Sequence, residues 1–187
     1  MKVSRAQAEQ NRERILDNAA QLFRERGFDG IGLNELMQAA GLTRGGFYGH
    51  FESKDDLAAQ ALARALSTQA ELWRRQGDRS LTGWVNAYLS EEHREQVGAG
   101  CGLAALAGDV ARAGPAVREV FAGGVQAAVQ RLTPQMPAAD ETEGRAQAMA
   151  LLSTLVGALL LSRAVGDDAL GQELREAVRA HLPVPIG

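Results

Sequence analysis

Apolar residues recur along this chain at intervals of three and four, not two. Ile15, Ala19, Leu22 and Phe23 fall at i, i+4, i+7 and i+8, which predicts an amphipathic helix from about Ala6 to Arg26. Gly27 follows it as a C-terminal stop, and Gly30 and Gly32 mark a loop. Leu33, Leu36, Met37 and Ala40 repeat at i, i+3, i+4 and i+7, so a short helix covers Leu33 to Ala40 and breaks at Gly41. Thr43 suits the N-cap of a third helix, from Arg44 to about Phe51. Ser53 caps a fourth, with Asp55 and Asp56 placing acid against the positive end of its dipole. Leu57, Ala61, Ala65, Leu66, Leu72 and Trp73 carry that helix to about Gln76, before a break at Gly77-Asp78-Arg79-Ser80.

Helical spacing resumes at Leu81–Leu89, and Gly98-Ala99-Gly100 breaks it again. Further helices are expected over Cys101–Arg112, Pro115–Leu132, Glu141–Val165 and Asp168–Leu182, with Pro115 in a first turn and Pro134 and Pro137 as separators. No run alternates β-branched residues, and 45% of the 187 residues are hydrophobic, so the chain reads as all-α with enough apolar material for a core. The longest uncharged run, Ala146 to Ser162, falls short of the ~20 apolar residues that a membrane span needs, which favours a buried helix. One cysteine, Cys101, excludes an internal disulfide. With no secretory signal ahead of the first charged helix, a cytoplasmic protein is expected. No metal-ligand spacing and no phosphate loop is present, so no metal or cofactor is expected.

Charge is unevenly spread. Residues 1–54 hold eight Lys/Arg against seven Asp/Glu, whereas the remainder carries 12 basic and 16 acidic residues. A weakly basic head on an acidic body is compatible with one end that meets nucleic acid and one that does not.

A short helix, a glycine-containing turn and a second short helix make a helix-turn-helix, whose second helix enters the major groove N-terminus first. Here they are Leu33–Ala40, Gly41-Leu42-Thr43 and Arg44–Phe51. Gly45-Gly46 at the start of the second helix costs roughly 1 kcal/mol per glycine relative to alanine. Either the segment is a loop that needs glycine, or bare backbone is wanted where bases and phosphates approach.

From about Arg12 to Leu62 the chain resembles the TetR/AcrR family of transcriptional regulators. Leu22-Phe23, Gly27-Phe28, Ala40-Gly41-Leu42-Thr43, Tyr48, His50-Phe51, Ser53-Lys54 and Leu57 match the family pattern in order and spacing. Ile31 and Gly32 stand where the family usually has Thr or Ser, and Met37 where it usually has alanine. The resemblance implies a three-helix DNA-binding domain over 1–54 and a helical effector-binding and dimerisation domain over 55–187. It implies DNA contacts from Thr43, Arg44, Gly45, Tyr48, His50 and Lys54. Arginine can grip guanine O6 and N7 with two hydrogen bonds, whereas contacts to phosphate fix register without reading sequence. Tyr48 and His50 could instead make structural hydrogen bonds, and Phe47 and Phe51 belong in the core.

In the body, Ala146, Ala150, Ser153 and Gly157 lie beside Leu152, Leu155, Leu159 and Leu160, and Leu170, Leu174, Ala177 and Val178 share a face of the last helix. By resemblance the helices near 141–165 and 168–182 pair with a homodimer partner; alternatively both stripes are intrachain core. Cys101 follows Gly100 at the start of a helix, which favours thiolate. The stretch resembles a subgroup with Gly-Cys at this place, some of whose members sense electrophiles or oxidants; the alternative is a buried, inert thiol. Trp84, Tyr88, Leu103, Leu106, Val110, Phe121 and Val125 could touch an effector but suit ordinary core. His93 and Arg94 are expected on a solvated surface. The expected function is a repressor that binds a palindromic operator as a homodimer and is released by a small-molecule or thiol-reactive effector. An effector-less architectural or co-regulatory DNA-binding protein is the alternative, and an enzyme is the remote one.

Overall fold

The computed structural model describes residues 4–75 and 80–182, all helix, turn and loop, with no strand among them. The expected break at 77–79 lies outside the described residues, as do the side chains of Leu72 and Trp73. Nine α-helices are described: α1 (Arg5–Arg26), α2 (Leu33–Ala39), α3 (Lys54–Arg75), α4 (Leu81–Tyr88), α5 (Glu91–Glu95), α6 (Gly102–Val110), α7 (Pro115–Leu132), α8 (Glu141–Ala164) and α9 (Asp168–Ala180).

Local chemistry sets their ends. Ser4, Ser80, Ser90, Asp140 and Asp167 each occupy an N-cap and accept a backbone N–H from the first turn that follows. At the end of α2 the chain turns through Gly41 at φ 69°, a left-handed conformation that side chains resist. Gly41 N–H bonds to Gln38 O and Leu42 N–H to Met37 O, the paired closure of a Schellman motif. Gly32 caps α2 without a side chain, and the Glu35 carboxylate accepts its N–H at 3.2 Å, satisfying one donor of the helix start.

The first core joins Ile15, Ala19 and Phe23 of α1 to Leu36 and Met37 of α2, with Phe47, Phe51 and the α3 residues Leu57, Ala61 and Leu62. Leu106, Val110 and Val117 continue it into α6 and α7, across the expected domain boundary at 54. The second core gathers Trp84, Val85 and Tyr88 with Leu103, Val129, Leu151, Leu155 and Leu159. Ion pairs fasten α1 to α3 on the outside: Arg64 bridges Glu13 and Asp17, and its guanidinium is held more basic than usual, first by the hydrogen bond to Glu13.

Helix α8 is apolar and long enough, by length and hydropathy alone, to cross a membrane. Its inner face, however, is fully engaged: Ala148, Leu151, Leu155 and Leu159 are each 0% exposed against the second core. The two stripes expected on this helix separate. Leu152, Leu155 and Leu159 turn inward, while Ala146, Met149, Ala150, Ser153, Leu160 and Leu161 face out. On α9, Leu170 and Ala177 face out, while Gly171 and Arg175 are buried.

Two expectations need correction. The segment from Arg44 is a 3-10 helix ending at Gly49, not an α-helix reaching Phe51, and Thr43 sits at its N-cap without a side-chain hydrogen bond. Three glycines in six residues weaken α-propensity, and the Phe47 ring is packed against Phe51 just beyond the segment's end. His93 and Arg94 are not a solvated surface either. They lie on α5, a five-residue helix that the sequence reading missed, and both are half-buried among long-range hydrogen bonds.

Candidate nucleic-acid interface and sensor cavity

Phe47 and Phe51 anchor the recognition segment. Their rings stack with centroids 5.7 Å apart, at 1% and 3% exposure, so both belong to the core as expected. The Arg12 guanidinium lies 5.4 Å over the Phe51 ring, tying the segment to α1. With these two residues turned in, the intervening side chains turn out. Thr43, Arg44, Gly45, Tyr48 and Gly49 are all exposed, and His50 and Lys54 are half-buried at the edge. Tyr48 is the most exposed large hydrophobic among the described residues, at 71%, and its ring makes a T-shaped contact with Phe47 with centroids 5.2 Å apart.

Neither backbone nor packing explains Gly45. Its φ is not positive, and a Cβ built there would meet nothing within 4 Å. Gly49 is equally open, while Gly46 would make an ordinary 3.8 Å contact with Met37 Cε. The loop that merely needs glycine is therefore not the reason for the pair. Bare backbone at 45 and 49 lies on the same exposed face as Arg44 and Tyr48.

Lys54 opens α3. Ser53 caps that helix by accepting the Asp56 N–H at 3.0 Å, and Asp56 in turn accepts from Glu52 N–H at 3.1 Å. Of the six residues expected to meet DNA, Thr43, Arg44, Gly45 and Tyr48 are exposed, and His50 and Lys54 lie half-buried beside them, Lys54 at the α3 N-terminus.

Cys101 is placed differently. It sits at the N-cap of α6 and is 1% exposed. It forms one wall of a cavity of about 190 Å³, together with Leu66, Gln69, Gly124, Arg131 and Leu152. Of the effector-contact candidates, Leu103 lines this cavity, while the others pack in the two cores or against them. The sequence reading missed Gln69 and Arg131. Gln69, on α3, is 8% exposed.

A polar cluster surrounds Cys101. Its N–H donates to His93 Nε2 at 3.1 Å, and His93 Nδ1 lies 2.7 Å from Tyr88 O. A ring that accepts at Nε2 must be neutral with its proton on Nδ1, donating to that carbonyl. Burial holds the His93 pKa below its usual value, and the nearby Arg163 charge pushes the same way. The Tyr88 phenol is pushed well up, by burial first and then by the Cys101 thiol beside it. Arg163 spans the cluster from α8, donating to His93 O at 2.6 Å and Arg94 O at 3.0 Å. Its Nη1 is buried without a hydrogen-bond partner. Arg24 reaches in from α1 to Gly98 O at 2.7 Å. Burial lowers the pKa of both arginines, and Cys101 is among the groups that oppose this. Outside the cluster, Arg94 pairs with Glu91 and Asp168, and Arg175, 3% exposed, pairs with Glu91.

Comparison with known proteins agrees with this architecture. Residues 15–61 match the N-terminal model of the bacterial regulatory proteins of the tetR family. The chain is 42% identical over 72 residues to the HTH-type transcriptional repressor BepR of Brucella suis, covering 38% of this chain and 34% of BepR. It is 38% identical over 69 residues to the HTH-type transcriptional regulator AcrR of Shigella flexneri, covering 37% of this chain and 32% of AcrR. These matches span about a third of the relatives' lengths. Over almost the full chain, the fold is that of reduced Escherichia coli NemR: TM-score 0.76 and 24% identity, over 95% of this chain and 98% of that one.

Proposed function

The chain's N-terminal region belongs to the TetR family of bacterial regulatory proteins, carried on that family's fold, and on this premise we propose that the protein is an operator-binding transcriptional repressor. Residues 1–54 form its DNA-binding part and 55–187 its effector-binding and dimerisation part. The observation that carries the reading is the exposed run Thr43, Arg44, Gly45, Tyr48, held outward by the buried pair Phe47 and Phe51. Arg44 reads a base edge, Gly45 lets the backbone approach, and Tyr48, His50 and Lys54 hold phosphates. The protein acts in the cytoplasm as a homodimer through the outward faces of α8 and α9, and its operator is correspondingly two-fold.

Cys101 is the proposed effector point. A small molecule lodging in the 190 Å³ cavity, or reacting with the thiol there, would disturb α3 and α6 together, because both line it. The solved E. coli NemR structure is of that protein's reduced form. For this chain, Arg24 and Arg163 bring positive charge to the Cys101 cluster, and the Arg163 Nη1 there is buried without a hydrogen-bond partner. Effector and DNA then weaken each other by the same factor.

Selection of bound duplexes from random sequence tests the first part: a palindromic site with half-sites about one helical turn apart is expected. Equal affinity for all duplexes at every salt concentration would overturn it. Alkylation of Cys101 followed by operator titration tests the second; unchanged affinity in a fully modified sample removes the sensor.

A further inference from the structure

We propose that His93 is an acid-sensitive latch, whose neutral imidazole holds the 97–100 turn in the position that seats α1, so that protonation loosens the DNA-binding region. The proposal goes beyond the effector reading, because it requires no ligand in the Cys101 cavity. It rests on the DNA-binding reading for one of its readouts.

The latch is built from two bonds and two tight glycines. Both ring nitrogens of His93 are spent on backbone, Nδ1 on Tyr88 O and Nε2 on Cys101 N–H. The ring therefore joins the end of α4 to the start of α6, across the turn at Val97–Ala99. The Gly100 backbone packs close to the ring, since a Cβ there would lie 3.1 Å from His93 Cδ2 and 3.0 Å from Arg163 Nη2. At the far side of the turn, Gly98 lies so close to α1 that a Cβ there would come within 2.9 Å of Gln21 Cγ, and it would also meet the Glu25 carboxylate. Gly98 O accepts the Arg24 Nε proton at 2.7 Å. A displacement of the turn is thus felt directly by the last turns of α1, whose Phe23 is in the core shared with Phe47 and Phe51.

Protonation of His93 puts an N–H at Nε2 facing the Cys101 N–H, so a hydrogen bond becomes two opposed donors. The charged groups around the ring do not compensate. From α8, Arg163 adds a second positive charge and binds the His93 carbonyl. From α1, Arg24 is positive, and Glu25 lies against Gly98 on the other side of the turn. From α4 and α6 come the Tyr88 phenol and the Cys101 thiol, both neutral when protonated. On α5 itself, Glu91 is engaged by Arg94 and Arg175, Arg94 also holds Asp168 of α9, and Glu92 is engaged by Gln96. Lowering the pH therefore breaks the bridge without supplying a replacement.

The test is operator affinity against pH, from 7.5 to 5.5, for the full chain, His93→Gln and Arg24→Met. Taking the ratio of wild type to His93→Gln at each pH cancels contributions that do not pass through His93. The ratio is expected to fall about tenfold across the window, a usual size for coupling between sites. Arg24→Met should bind more weakly than wild type at pH 7.5 and lose most of the pH response. A ratio constant with pH, or an Arg24→Met variant that keeps the full response, overturns the latch. Hydrogen exchange of the DNA-free wild type, corrected for intrinsic rate, provides a readout independent of both DNA and variant folding. Amides of 97–103 should lose protection at pH 5.5 relative to 7.5, and unchanged protection there overturns the proposal. Absence of operator binding at every pH would instead sink the regulator reading and leave the exchange result to decide the latch.

Discussion

Phe47 and Phe51 stack at 5.7 Å with an interplanar angle of 30°, and this pair decides which way the recognition segment faces. Four residues apart and both buried, they leave Tyr48 and the glycines no alternative but the outside. Removing one ring should therefore act on folding before it acts on DNA. Phe47→Ala is expected to lose about 3–5 kcal/mol, measured by urea unfolding with the slope compared to wild type. Tyr48→Ala, exposed, should unfold within about 0.5 kcal/mol of wild type yet bind operator more weakly. Equal stability losses for the two would contradict the packing described.

Gly45 offers the opposite trade. Nothing lies within 4 Å of a Cβ built there, and its backbone is one that alanine adopts. Gly45→Ala should therefore stabilise the chain, by about 0.5–1 kcal/mol from reduced freedom in the unfolded state. Operator affinity should fall in the same variant, because the methyl group occupies the face beside Arg44. Denaturation and fluorescence anisotropy on one sample separate the two effects. A variant that gains stability and loses no affinity would mean that this glycine does not face the duplex.

Arg44 and Lys54 should differ in kind. Arg44→Ala is expected to relax sequence preference at one position of each half-site, by about 1–3 kcal/mol. Lys54→Ala should weaken all duplexes alike and reduce the magnitude of the salt slope by about one. Titrations at several salt concentrations, on matched and mismatched sites, distinguish them. An Arg44→Ala variant with unchanged preference would reassign the base contact.

Much of this was legible because the signals are local. Helix α7 begins at Pro115 and ends at Leu132 as read, and Gly27 and Gly41 stop helices because both carry positive φ. Phe47 and Phe51, placed in the core by the resemblance, are both buried. What escaped was non-local. Helix α5 is five polar residues with no apolar stripe, so periodicity could not find it; Ser90 followed by Glu91 and Glu92 was the available cap signal. Arg175 looks like a surface residue until its partner Glu91, 84 positions away, closes over it. Nor could helix propensity choose between α and 3-10 geometry at Arg44–Gly49, where glycines make both weak.

His93 also ties stability to pH, and the sign follows from its neutral state. The folded pKa lies below the unfolded value, so the unfolded chain binds the proton more readily. Its contribution is complete above the unfolded value near 6.5 and is lost as pH falls below it, until the folded group titrates as well. The melting temperature should drop between pH 7 and pH 5.5, and the drop should be smaller in His93→Gln. Equal drops in both proteins would assign acid sensitivity to other groups.

The outward face of α8 provides a case where stability and assembly part company. Leu161 is 51% exposed and Leu160 43%, and Met149 is 43% exposed on the same helix. Gly157 lies between them with open space where its Cβ would be, so no neighbour in its own chain requires glycine there. Within a helix, glycine costs about 1 kcal/mol relative to alanine. If that cost permits close approach of a partner helix, Gly157→Leu should leave the isolated chain as helical as before and keep the backbones apart at the interface. Sedimentation over a concentration range should then show a weakened dimer. Leu161→Glu should dissociate it further, by burying an unpaired charge. Both variants should lose operator affinity in step with dimer loss, since one half-site contact cannot hold a two-fold site. Retention of a wild-type dimer by both would move the interface off this face of α8 and leave its exposed leucines without that role.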